Sequence, residues 1–264
     1  KTIHYATDTA ADLKQRDHAF TWRTGVMYLG DNGVAPYASY SESFFPNITA
    51  VARDGSAFEP ETGRQYEVGI KFQPKGSDSY VTVSLFDLTR QNVLTADPAN
   101  NRFSVATGEI QSRGIELESK AQLSDALELM ANYSYSHLEI TRSNTADEKS
   151  NQPGNTPEQL ASLWSQYTVQ SGALAGLAIG GGVRYVGPSY IDSQNSEGIP
   201  HYTLFDASLS YDLGKLSSSY AGAKLALNAS NLTDETYVSQ CGYTGDSCKY
   251  GYRRNVTGSL SYNW

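Results

Sequence analysis

The chain has 264 residues, a net charge of −8, 39% hydrophobic residues, 19 tyrosines, 23 glycines and a mean hydropathy of −0.46. No run of about 18 apolar residues occurs, which excludes a transmembrane helix, and the acidic balance argues against nucleic acid or an anionic membrane surface, both of which need basic patches. A transmembrane barrel stays open, because each of its strands needs only about ten residues and half of those face a polar interior.

The start, "KTIHYATDTAADLKQRD", has no cationic stretch followed by an apolar one, so neither a signal peptide nor an anchor is read there. From residue 18 onward, period-two alternation predicts eleven strands, over 18–30, 34–44, 64–74, 79–91, 111–122, 127–139, 159–170, 176–187, 202–213, 222–231 and 254–264. Helical periodicity is nearly absent. In 64–74, Tyr66, Val68, Ile70 and Phe72 oppose Glu67, Gly69, Lys71 and Gln73; in 127–139, Leu127, Leu129, Ala131, Tyr133 and Tyr135 oppose Glu128, Asn132, Ser134 and Ser136.

The connections alternate in length. Those at 31–33 ("DNG"), 74–78, 123–126, 171–175 and 213–219 are short and turn-like, whereas 45–63, 92–110, 140–158, 188–201 and 232–253 are long. A Greek-key sandwich would mix these lengths, but an up-and-down barrel puts short turns at one rim and long loops at the other. The predicted fold is therefore all-β, a transmembrane antiparallel β-barrel. Apolar residues fill strand centres and aromatics sit near strand ends, as an apolar band with girdles requires. Arg23, Lys71, Glu116, Glu118, Lys120, Arg184 and Asp206 then face a lumen, where water and mutual pairing lower the cost of enclosing charge.

The last strand, "RRNVTGSLSYNW", alternates up to the aromatic Trp264, the expected lower-girdle residue of a closing strand. Cys241 and Cys248 in "CGYTGDSC" read as a local disulfide of an oxidising compartment rather than a two-thiolate metal site. His4, His18, His137 and His201 are scattered without metal-ligand spacing. No nucleophile elbow accompanies the many serines. "GGG" at 180–182 precedes no helix, so it is no phosphate loop; small lumen-facing residues that let another domain approach are the expectation.

Several motifs go further than architecture. "GRQYEVGIKFQP" (63–74), "RGIELESKAQL" (113–123), "NTPEQLASLW" (155–164), "GGVRYVGPSY" (181–190), "NASNLTDETY" (228–237) and "YGYRRNVTGSLSYNW" (250–264) resemble, in order and spacing, the carboxy-terminal half of TonB-dependent siderophore receptors. "TWRTGVMYLGDNGVAPYASYSESFFP" (21–46) and the two-cysteine last loop look most like the ferrichrome and ferrioxamine branch, which transports hydroxamate siderophores.

The resemblance implies that residues 1–264 are about eleven strands of a 22-stranded barrel, with 1–17 the remnant of an extracellular loop and the amino-terminal plug outside this sequence. It implies an importer, not an enzyme, in the outer membrane of a Gram-negative bacterium. Its partners would be ferric hydroxamate siderophore, the rest of the barrel and plug, the TonB complex, and outer-membrane lipid or lipopolysaccharide. No cofactor is held by side chains, because the iron arrives chelated. A chelate needs an aromatic, concave vestibule, and Tyr37, Phe44, Tyr243, Tyr250 and Tyr252 are the candidate ligand contacts. Tyr262 and Trp264 resemble the terminal signal by which such barrels are recognised for assembly. The rival readings are a passive porin and a secreted β-sandwich adhesin or lectin.

Overall fold

Alternation of this kind can bury one face of each strand only if neighbours pair laterally, and the computed structural model shows that pairing for residues 2–5, 13–47, 52–97, 99–100, 103–242 and 247–263. Near the start, β1 (Thr2–Tyr5) and β2 (Leu13–Arg16) form a separate ribbon. The main sheet opens with β3 (Arg23–Met27), β4 (Val34–Phe45), β5 (Glu61–Phe72), β6 (Tyr80–Ala96), β7 (Ser104–Gln122), β8 (Leu127–Arg142), β9 (Gln159–Thr168) and β10 (Leu177–Val186). A two-residue pair, β11 (Ser189–Tyr190) and β12 (Gly198–Ile199), lies in the next loop. Then come β13 (Tyr202–Asp212), β14 (Ala223–Ser230), a second loop ribbon of β15 (Val238–Cys241) and β16 (Cys248–Tyr250), and β17 (Asn255–Tyr262).

Eleven of these strands make one antiparallel meander, from β3 at one edge to β17 at the other, each paired with its neighbour in sequence. All five short connections fall at one rim and all five long ones at the other. In the first turn, Gly33 adopts a left-handed φ of 84°. Its carbonyl accepts from Gln73, so this glycine ties two turns together at the lower rim.

Register explains which face is which. Val68 lies opposite Leu85, Leu85 opposite Ile115 and Ile115 opposite Tyr135, a continuous row across four strands. A second row runs Tyr167, Ile179, Leu209, Leu227. These side chains stay accessible: Val68 is 51% exposed, Leu85 53% and Ile179 49%. Among the described residues only Ala35, Phe58, Ile140, Ile199, Leu204 and Cys241 are buried apolar side chains, far too few for the core of a sandwich. The sheet has an outward apolar face that meets lipid instead. Trp22, Tyr40 and Tyr66 form a chain of rings on its upper part, with centroids 4.7 and 4.9 Å apart. Phe72, Tyr167, Tyr211 and Tyr262 mark its lower part; Trp264 lies outside the described residues.

The eleven predicted strands are all present, with shifted ends. The expected loop at 92–110 is much shorter, because β6 and β7 stay paired up to Ala96 opposite Ser104. A bulge at Asn92, whose φ is 59°, breaks the period-two phase there and hides the continuation from a reading of alternation. At the other extreme β3 has five residues, although Glu42 N–H bonds to Trp22 O and Tyr28 N–H to Pro36 O, carrying the pairing past both ends.

Candidate functional site

The concave face is polar. Tyr37 donates to Glu67 at 2.7 Å, Tyr80 to Glu118 at 2.6 Å, and Lys120 pairs with Glu128 at 3.0 Å. Arg184 makes a two-point contact with Asp206, at 2.6 and 3.0 Å. Glu116, Glu118, Asn132, Ser134, Ser162 and Arg184 line a recess of about 450 Å³ on this wall. Gly180 and Gly182 share the face of Arg184, and the Trp164 ring lies across both, so that a Cβ on either would collide with it. The small residues of "GGG" thus admit the aromatic ring of the neighbouring strand on the inward face. Among the described residues no group of His, Cys, Asp and Glu could hold a metal ion. His137 instead bonds Glu158 at 2.8 Å.

At the upper rim, the last loop is folded back and tied at its base. Asn231 is 2% exposed. Its N–H donates to Asp206, its carboxamide donates to the carbonyls of Glu235 and Tyr252, and its Oδ1 accepts from Glu235 N–H. Asp234 holds Arg253 at 2.9 and 2.6 Å and also accepts from Arg254 N–H. Tyr237 stacks on Tyr202 of the concave face, centroids 4.1 Å apart, and so carries the loop inward over the mouth. There β15 and β16 form a ribbon closed by the Cys241–Cys248 disulfide, as the spacing predicted.

Neighbouring loops are laced to this one. Asn195 and Gln152 exchange two bonds, at 3.1 and 2.7 Å, and Asn155 bonds both to the β11 strand and to Cys241. At the loop ends of β6, β7 and β8, Val93, Leu94, Phe103, Ile110 and Ile140 line an apolar recess of about 310 Å³ rimmed by Arg142 and Glu148.

The five candidate aromatics are not gathered in one place. Tyr250 and Tyr252 are at the mouth and exposed, at 72% and 90%. Tyr243 lies outside the described residues. Tyr37 is on the lumen face, near the turn end of β4 rather than its top, because β4 rises from the turn at 28–33. Phe44 is near the upper end but on the outward row with Tyr40, opposite Thr62. Sequence reasoning passed over Asn155, Asn231, Asp234 and Arg253, which organise the mouth; the available signal was the asparagine- and aspartate-rich "NASNLTDET", a composition that caps turns.

Arg253 beside Asp234, with the Arg254 N–H, holds that carboxyl well below the usual carboxylate range. A depressed folded-state value means that the charge contributes its full stability above the ordinary aspartate range and loses it progressively as pH falls from that range through the lowered value. Amide protection in 231–242 and 247–254 is therefore expected to survive mild acid in the native protein. Asp234→Asn should reduce that protection already at neutral pH, read by hydrogen exchange; equal protection in both proteins would refute the clamp.

Comparison with known proteins adds to this geometry. A family model described as TonB dependent receptor-like, beta-barrel, matches residues 2–232. The chain is 43% identical over 251 residues to the ferrichrome outer membrane transporter/phage receptor of Escherichia coli (strain K12), covering 95% of this chain and 33% of that protein. It is 36% identical over 259 residues to the ferrioxamine receptor of Yersinia enterocolitica, covering 98% of this chain and 35% of that protein. The chain thus spans about a third of the length of these relatives. Among solved structures, the ferric yersiniabactin uptake receptor of Yersinia pestis superposes with a TM-score of 0.79 at 18% identity, over 96% of this chain and 38% of that one, a likeness of fold.

Proposed function

Because the chain belongs to the TonB dependent receptor-like β-barrel family, we propose that it forms the loop-bearing wall of an outer-membrane receptor that imports ferric siderophore of the hydroxamate type. The 43% identity to a ferrichrome transporter, sustained over 95% of the chain, carries this reading. The geometry supports it: an outward apolar face for lipid, a polar inward face, and a rigid aromatic ribbon over the mouth. Among the described residues the eleven-stranded sheet has no second large sheet packed on it, which speaks against a β-sandwich adhesin, and family membership speaks against a passive porin.

In this reading the two edges of the sheet are completed by further strands, a plug fills the lumen, and the TonB complex supplies the energy that moves the plug. Lipid and lipopolysaccharide surround the outward face, and Tyr262 with Trp264 serves as the assembly signal. The iron is cargo, already saturated by its chelator, so the receptor needs shape and aromatic surface rather than metal ligands. No covalent chemistry is required. Growth of a receptor-deleted strain carrying the whole receptor, on a panel of ferric siderophores under iron limitation, tests the assignment. Rescue by trihydroxamates is expected; rescue by catecholates alone would overturn it.

Tyr250 and Tyr252 are the ligand contacts proposed from this chain, since both rings are open at the mouth. Truncating a ring that stacks on a ligand typically costs roughly 2 kcal/mol, about thirtyfold in affinity. Tyr250→Ala and Tyr252→Ala should each weaken binding of a ferric trihydroxamate by that order, measured by tryptophan fluorescence titration of the purified receptor. Unchanged affinity in both variants would remove them from the site.

A further inference from the structure

We propose that Asn155 is a positioning residue for the ligand-facing ribbon, acting from another loop, 86 residues away in sequence, through the Cys241–Cys248 disulfide. The inference rests on the reading that Tyr250 contacts the chelate, and it adds the element that aims Tyr250.

The ribbon cannot aim itself. Its strands have four and three residues, with a bulge between Val238 and Gln240, and a ribbon that short holds no fixed direction in water. Its base is fixed by Asn231, Asp234 and Tyr237, but the tip, where the disulfide sits, needs a separate hold. Asn155 supplies it. Cys241 N–H donates to Asn155 Oδ1 at 2.7 Å, and Asn155 Nδ2 donates to Cys241 O at 3.0 Å. One carboxamide therefore makes the two-bond exchange that facing residues of an antiparallel pair make, with a side chain in place of a strand.

The contact is sheltered from water, since Cys241 is 6% exposed, so leaving its peptide unpaired would be costly. Asn155 is itself fixed. Its φ is 59°, and its N–H donates to Tyr190 O at 2.7 Å, which anchors it to β11. From Cys241 the disulfide passes the constraint to Cys248, two residues before Tyr250. The disulfide is thus a strut as well as a loop closure: it carries an anchor made in one loop to an aromatic ring in another.

The test uses the whole receptor in outer-membrane preparations, with ferrichrome as the probe. Asn155→Gly suits the left-handed backbone while removing the side chain and its carboxamide. It is expected to leave the surface level unchanged, to speed amide exchange across 238–250 and to weaken ferrichrome binding about tenfold, in keeping with the loss of two sheltered hydrogen bonds. In the Asn155→Gly background, Tyr250→Ala should cost clearly less than it does in the parent protein, because the ring is no longer aimed. A merely structural role would leave the two effects additive. Unchanged exchange across 238–250, or full additivity, overturns the proposal. If the parent receptor binds no trihydroxamate at all, the function reading fails instead, and the exchange measurement still decides whether Asn155 holds the ribbon.

Discussion

Refolded by itself into detergent micelles or lipid vesicles, the 264-residue chain is expected to give no closed barrel. Its main sheet has two open edges, and among the described residues β3 pairs only with β4 and β17 only with β14. In hydrocarbon every unpaired backbone N–H or C=O costs on the order of 2 kcal/mol or more, so two bare edges are a cost that only pairing with further strands removes. A second copy does not solve the problem. With eleven strands, β3 and β17 run in the same direction, from the loop rim to the turn rim, and a copy in the same membrane orientation would present parallel strands at both seams. The edges fit a partner with an odd number of strands whose outermost two run the other way. Gel mobility before and after heating, with and without the remaining part of the receptor, reads the outcome. A heat-modifiable, exchange-protected barrel formed by this chain alone would overturn the open-edge reading, and a soluble monomer in plain buffer would overturn the membrane reading.

The second large effect is expected at Gly114, in the middle of β7. A Cβ built there would overlap the Tyr135 carbonyl oxygen and come within 2.9 Å of the Phe86 ring. The first obstacle is backbone of the adjacent strand, held in a ladder that runs from Gln122–Glu128 at one end to Glu109–Arg142 at the other, so it cannot swing aside as a side-chain tip would. Overpacking of this kind typically costs 1–3 kcal/mol, about 2 kcal/mol here, and it falls on the pairing of the longest strands in the sheet. Gly114→Ala should lower the temperature at which the receptor loses heat-modifiability and reduce the amount reaching the outer membrane. Gly258→Ala, in β17 where nothing lies within 4 Å of the added carbon and the backbone is not left-handed, controls for general effects of losing a glycine. If the two variants assembled equally well, the strand-clash account would be wrong.

How much of this was legible beforehand follows from the range of each interaction. The eleven strands, their inward and outward faces and the alternation of short turns with long loops are written in neighbouring residues, because side chains on a strand alternate whatever lies beside them. The reading faltered where local phase broke. The bulge at Asn92 shifted the alternation by one and concealed the upper reach of β6 and β7. The Cys241–Cys248 pair could be read for the same local reason, since the two thiols lie seven positions apart.

Placement in depth was not legible. Tyr37 and Phe44 lie seven residues apart on β4, yet one faces the lumen near the turns and the other faces outward near the loops, and only strand direction and parity together separate them. "GGG" showed small residues but not that Trp164, sixteen residues earlier in the chain, covers two of them. Asn155 is the extreme case. Nothing in "NTPEQL" marks an asparagine whose side chain will bond a peptide 86 residues away. The sequence determined the sheet and its two solvents because period and polarity are local properties. The mouth was decided by tertiary structure, because three loops meet there only after the strands between them have curved and brought their upper ends together.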